Sequence, residues 1–162
     1  MLTTPQGPLL GWSGFVQVRA LLEGGQVGEV VDAFPNLITD AGLDLLAAGL
    51  LDGRSTVLRF LAVGTGTTPP VPGDVALGAE TARFAVQTPT RVAVGKTRTR
   101  AYLTDAQAVG TIRELGWFAG SAASSTAGSG VLVARVLYDH TKGDGESLVI
   151  DRTDTISRGA TA

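Results

Sequence analysis

The chain contains no cysteine. Disulfide staples, zinc–thiolate centres and a cysteine nucleophile are therefore excluded. A single histidine, His140, leaves too few imidazoles for a histidine-based metal site. Charge is also scarce: 17% of the 162 residues are Asp, Glu, Lys or Arg. A formal net charge of -2 offers no general attraction to nucleic acid or to anionic lipid. No run approaches the ~18 apolar residues of a membrane-spanning helix. The opening MLTTPQGPLLGW has no basic region leading into an apolar core, so no secretory signal is expected. Together these absences point to a soluble protein made in a cytoplasm, with neither nucleic acid nor membrane among its partners.

Hydrophobic residues, at 44%, are plentiful enough for a packed globule. A domain of this length buries roughly 70% of the surface its unfolded chain exposes, so it needs no staples. The low charge fraction points to a surface partly covered by a partner. One β-rich domain over 15–157 is expected, with an N-terminal arm at 1–14 and a short tail at 158–162.

FVQVRALL (15–22) begins with the alternation of a half-buried strand, Gly24–Gly25 marks a turn, and VGEVVDAF returns, which makes a hairpin. The one convincing helix lies in NLITDAGLDLLAAGLLDG, with Thr39 or Asp40 able to cap its start and Gly53 placed to end it. Leu43, Leu46 and Leu50 fall at i, i+3 and i+7 and are expected to form its buried stripe, with Leu45 and Ala47 widening it. Gly42 and Gly49 would each cost the helix up to about 1 kcal/mol. VLRFLAV, FAVQTPTRVAV, KTRTRAYL, TIRELGWF, VLVARVLY and ESLVIDRTDTIS read as further strands, with Gly95 a bend or bulge. About seven strands and one helix at about residues 39–52 define a mainly β fold, an antiparallel β-sandwich or barrel. AGSAASSTAGSG (119–130), set between two strands, reads as a mobile surface loop.

The stretch VGTGTTPP (63–70) carries two glycines one residue apart, the start of a phosphate-binding fingerprint. The third glycine position is Pro69, however, and with Pro70 and Pro72 following no helix can open there. The alternative is a tight, proline-stiffened loop in which glycines supply positive φ. VGKTRTR (94–100) ends like a phosphate loop, but Thr90 occupies the required earlier glycine and both flanks alternate as strands. Lys96, Arg98 and Arg100 instead share one strand face, solvated or turned to a partner, with Thr97 and Thr99 on the other. His140 lies beside Asp139; the nearest serine nucleophile candidate, Ser129, lacks the strained elbow of a hydrolase. Asp139, Asp144 and Glu146 do not form a calcium-loop ladder, and Lys142–Gly145 reads as a turn. No enzyme activity, cofactor or metal is expected.

The order of these segments carries a resemblance. A strand hairpin, NLITDAGLDLLAAGL, FLAVGTGTTPPVPGDVALGAETAR, TIRELGWFAG, VLVARVLYD and a closing ESLVIDRTDTIS resemble a widespread group of bacteriophage virion proteins. The layout is similar to the N-terminal attachment domain of some tail-fibre proteins, across roughly residues 15–157. The resemblance implies a non-enzymatic structural protein of the virion. It would form a homo-oligomer, a trimer, that docks onto a tail, baseplate or capsid protein. Two alternatives stand beside it: a capsid decoration protein that cements the head shell, and a carbohydrate-binding β-sandwich using Trp12, Tyr102, Trp117 and Tyr138. With no long receptor-binding region after 157, it would not be a complete host-binding fibre. The first hairpin and the tail SRGATA are candidates for arms lying on neighbouring subunits. The expected interface residues are Gly64, Gly66, Pro69, Pro70, Leu77, Arg113, Glu114 and Trp117, with Ala76 and Ala79 flanking Leu77. Within IRELGWF, Ile112, Glu114, Gly116 and Phe118 alternate with Arg113, Leu115 and Trp117. Each face mixes polarity, which suits either a strand contacted on both sides or a core strand in which Trp117 is simply buried.

Overall fold

Alternation in the first segment and the Gly24–Gly25 turn build the expected hairpin, β1 (Leu10–Leu21) and β2 (Val27–Ile38). Both turn glycines sit at positive φ, 81° and 78°, where a side chain would be strained. The computed structural model describes residues 10–158. β1 begins at Leu10, so strand pairing reaches into the segment read as an arm, and residues 1–9 and 159–162 lie outside the described residues. β1 is moreover an inner strand of its own sheet, between β2 and β9 (Leu148–Arg158), and not an arm.

The remaining elements are α1 (Asp40–Asp52), β3 (Leu58–Gly64), β4 (Glu80–Ala85), β5 (Thr90–Ala93), β6 (Lys96–Leu103), β7 (Gly110–Ala119) and β8 (Val131–Lys142). The nine strands make one curled antiparallel sheet, a half-barrel, in the order β4-β3-β7-β8-β2-β1-β9-β6-β5. FAVQTPTRVAV is two strands and not one, because the chain leaves β3 before Pro89 and pairs afterwards with β6. Between them Val86 donates to the Arg59 carbonyl (2.9 Å) and Gln87 to that of Arg100 (2.8 Å), which ties β3 to β6 across the gap. Bulges in β1 and β7, which increase local bend and twist, contribute to the curl.

Alternate positions point into the concave side. Val16 and Val18, Leu61 and Val63, Leu115 and Trp117, Ala101 and Leu103, and Leu148 and Ile150 form the main core there. A smaller cluster of Ala62, Leu77, Phe118, Ala123 and Leu132 lies apart from it, where two loops cover the convex side of β3, β7 and β8.

The helix is capped as expected: Thr39 Oγ1 accepts from the Gly42 amide (3.0 Å), and Gly53 ends it in the left-handed conformation. Thr39 is fully buried and its hydroxyl also donates to the Leu132 carbonyl (2.5 Å). Thr39→Ala is expected to lower stability by about 1 kcal/mol, the usual value of such a cap, read as a shift in the urea midpoint. The buried stripe differs from expectation. Leu43 is 48% exposed and Leu50 87% exposed, while Gly42 is buried. The packed face is Gly42, Leu45, Leu46 and Gly49, also at helical spacing, with Gly42 against the backbone of Val133. Glycine on the contact face lets the helix approach closely and turns the other leucines outward.

Candidate functional site

β7 passes from Gly110 to Ala119 with a bulge between Ile112 and Glu114. The bulge places Ile112 in the main core with Leu115 and Trp117, and leaves Glu114, Gly116 and Phe118 on the convex side. Both faces of the strand are therefore covered, by the chain's own residues.

Glu114 is wholly buried under the loop 64–80. Its Oε1 accepts from the amides of Gly66 (2.9 Å) and Ala79 (2.8 Å), and its Oε2 from that of Gly78 (3.0 Å). Arg135, on β8 directly opposite Gly116, adds Nε and Nη2 to Oε2 at 2.8 and 2.7 Å. Its other donors hold the loop: Nη1 bonds Asp74 Oδ2 (2.8 Å) and Nη2 the Thr68 carbonyl (3.0 Å). Asp74 also accepts from the Val71 amide (3.0 Å), and the Pro72 carbonyl accepts from Asp40 at the helix start (2.8 Å). One carboxylate thus gathers both ends of the loop, and one guanidinium pins its middle.

Burial alone would push Glu114 up. The Ala79 and Gly78 amides and Arg135 outweigh it and hold the carboxyl below its ordinary range. Asp74 behaves alike: burial raises it, and the Val71 amide and Arg135 bring it down on balance. Burial disfavours the charge of Arg135, but its two carboxylate partners raise its pKa. A depressed carboxylate with five donors on it is held as an anion and has no accessible lone pair to act as a general base.

The loop glycines follow from this carboxylate. Neither Gly64 nor Gly66 has positive φ, contrary to expectation. A Cβ at Gly66 would lie 2.3 Å from Glu114 Oε1, and one at Gly64 would lie 2.5 Å from the Ala79 carbonyl. They are glycine because the backbone must come within hydrogen-bond reach of a buried side chain. Leu77 completes the seal, its Cδ1 2.3 Å from where a Gly116 Cβ would stand.

The eight residues expected at an assembly interface therefore divide. Gly64, Leu77, Glu114 and Trp117 are buried within the chain's own fold and have almost no surface to offer a neighbour. Gly66 and Pro70 are half-buried, and Pro69 is exposed. Arg113 is exposed, with Nη1 3.1 Å from Asp139. Ala76 and Ala79 are exposed beside the buried Leu77. Sequence reasoning missed Arg135, Asp74, Gly78 and Gly116; the local signal for Arg135 was a lone charge inside the apolar run VLVARVLY.

The tract 119–130, read as a mobile loop, carries its own hydrogen-bond network. Ser129 Oγ bonds the Ser124 amide (2.9 Å) and the Thr126 carbonyl (2.7 Å). Arg83 reaches the Ser129 carbonyl (2.7 Å), pairs with Glu80, and lies over the Phe118 ring at 3.7 Å. Ser129 is a loop organiser here. His140 Nε2 is 3.0 Å from Glu146 Oε1 and its ring stacks on Tyr138, next to the expected turn at 142–145.

At one end of the half-barrel a chamber of about 370 Å³ is lined by Trp12, Leu46, Leu58, Pro89, Thr99 and Asp154. Trp12 Nε1 donates to Asp154 Oδ1 (2.8 Å), which also takes the wholly buried Arg152. Desolvation lowers the Arg152 pKa despite Asp154, and its guanidinium lies 5.3 Å from the Trp117 ring. Trp117 and Tyr138, two of the four aromatics considered for sugar stacking, are buried.

No protein-family model, curated protein or solved structure matches the chain.

Proposed function

We propose that the chain is a structural component of a bacteriophage virion that assembles with copies of itself and docks onto a tail, baseplate or capsid protein. One observation carries the reading: three of the segments that make up the resemblance, FLAVGTGTTPPVPGDVALGAETAR, TIRELGWFAG and VLVARVLYD, converge on a single buried carboxylate. Gly64 and Gly66, Asp74 and Leu77, and Glu114 belong to one scaffold, which fixes the long loop 64–80 without regular structure. Such a module shapes a surface and performs no bond-breaking. The apolar side chains left outside support an assembling role. Leu50 and Leu51 are 87% and 86% exposed on the helix, and Val75 is 72% exposed on the loop. Leu50 and Leu51 are neighbours in sequence at the helix end, where exposed apolar surface favours an interaction site.

Two measurements test the reading. In solution the purified chain is expected to have the light-scattering mass of a homo-oligomer, three copies. Mass spectrometry of purified particles of the encoding phage should find it among the virion proteins. Absence from particles would overturn the virion assignment whatever the mass in solution.

A further inference from the structure

Five of the nine strands, in the order β2-β1-β9-β6-β5, form a continuous sheet whose outer strands each leave an edge open. Among the described residues β2 meets β8 only at Leu37 and Ile38, so residues 27–36 present an edge unpaired there, in which Val30, Val31, Asp32 and Ala33 are exposed. β5, among the described residues, pairs only with β6, and all four of its residues are exposed. Open strand edges are templates for pairing with another chain.

The two edges carry opposite charge. On β2 stand Glu29 and Asp32. At the other end stand Arg91 on β5 and, on β6, Arg98 opposite Thr90, with Lys96 opposite Ala93. None of these five forms an ion pair among the described residues, although nine other pairs exist there. Asp32 lies across from the buried Val18, and Arg91 across from Thr97, which with Thr99 lines the end chamber. Both therefore lie on the concave face. Four successive antiparallel steps make β2 and β5 run the same way. A rotation about an axis along the strands thus sets β5 of one copy beside β2 of the next, in parallel. Pairing β2 with β2 of another copy would instead set acid against acid, which is destabilising.

We infer that the occupant of the β2 edge is the β5 edge of a second copy of this chain. Arg91 faces Asp32 on the concave side of a head-to-tail junction, with Glu29 on the same acidic edge. Arg98, one strand in and on the opposite face, adds to the positive charge of its edge, and Val92 and Val94 (46% and 86% exposed) add apolar area beside Val30 and Val31. Repeated head-to-tail contacts close into a ring when the rotation allows. The inference rests on the oligomeric reading above and names its surfaces.

Charge reversal tests it. E29K/D32K and R91E/R98E are each expected to weaken self-association by more than about 100-fold, since like charges juxtaposed at an interface cost several kcal/mol. Combining all four substitutions in one chain makes the edges complementary again and is expected to restore the wild-type mass in light scattering. The fourfold variant should not form mixed oligomers with wild type. Circular dichroism checks folding; should a reversal fail to fold, E29Q/D32N carries the same test with a smaller expected loss. A wild-type oligomer whose mass survives both reversals, or a fourfold variant that stays monomeric, overturns this inference alone. A wild-type chain that is monomeric at all concentrations overturns it together with the oligomeric reading.

Discussion

Glu114→Ala is expected to destabilise the fold by about 3–5 kcal/mol, the range found when one partner of a buried ion pair is removed. The change strips the acceptor from three backbone amides, those of Gly66, Gly78 and Ala79, and from the Nε and Nη2 of Arg135. A buried donor left without a partner costs about 1–3 kcal/mol. The individual losses do not add, because the loop can lift away and let water reach the amides. That escape is itself part of the cost, since Leu77 then leaves its seat on Gly116 and Leu132. Domains are stable by only about 5–15 kcal/mol, so the variant should sit close to unfolding. Urea denaturation measures the loss. Glu114→Gln, which keeps the shape and one acceptor oxygen, should lose less, and its first symptom should be faster hydrogen exchange at Gly66, Gly78 and Ala79. A Glu114→Ala midpoint unchanged from wild type would mean that the carboxylate does not hold the loop.

The same residues set the acid response. Glu114 and Asp74 both titrate below their ordinary range in the folded chain. A group whose folded pKa is depressed stabilises the fold above its unfolded pKa and loses that contribution as pH falls through the folded one. The urea midpoint should therefore stay level from neutral pH down to about 5 and fall below about 4, near and beneath the ordinary carboxylate pKa. In Glu114→Gln the fall should be shallower, with Asp74 and other acids remaining. Parallel acid limbs in the two proteins would remove Glu114 as a cause.

Local pattern made much of the architecture legible. Alternation and turn glycines located the first hairpin, Thr39 and Gly53 bounded the helix, and the single Gly95 marked the β5–β6 turn, where it sits at positive φ. The failures share a physical origin in contacts distant along the chain. Gly64 and Gly66 looked like φ suppliers because the side chain that excludes a Cβ lies on β7, 48 positions beyond Gly66. Ile112 was assigned with Glu114 because strict alternation ignores the bulge between them. FAVQTPTRVAV gave no sign that its two ends would choose different partners. The Glu114–Arg135 pair was half legible: a motif drew attention to Glu114, but nothing local joined it to an arginine two strands' length away.

The helix offers a case in which the intrinsic preference and the tertiary contact have opposite signs. In an isolated helix Gly→Ala is favourable by up to about 1 kcal/mol. At Gly42 a Cβ would lie 2.6 Å from the Val133 carbonyl oxygen and 2.9 Å from its Cα, both backbone atoms of β8. Neither can turn aside as a side chain does, and the Val133 carbonyl already accepts from the Thr39 amide (3.0 Å). The helix must shift outward, lengthening its cap and loosening Leu45 from the core. Overpacking of this kind costs about 1–3 kcal/mol, so Gly42→Ala should destabilise despite its better helix propensity. Gly49→Ala is the matched control. Its Cβ would meet chiefly the Thr56 methyl at 2.7 Å, the end of a side chain, with the Arg54 carbonyl at 3.3 Å. A small rotation of Thr56 relieves the closer contact, so the propensity gain should offset most of the cost. Urea midpoints of the two variants are expected to differ by more than about 1 kcal/mol, Gly42→Ala being the lower. Equal midpoints would mean that helix and strand are not in the close contact that the buried glycine implies.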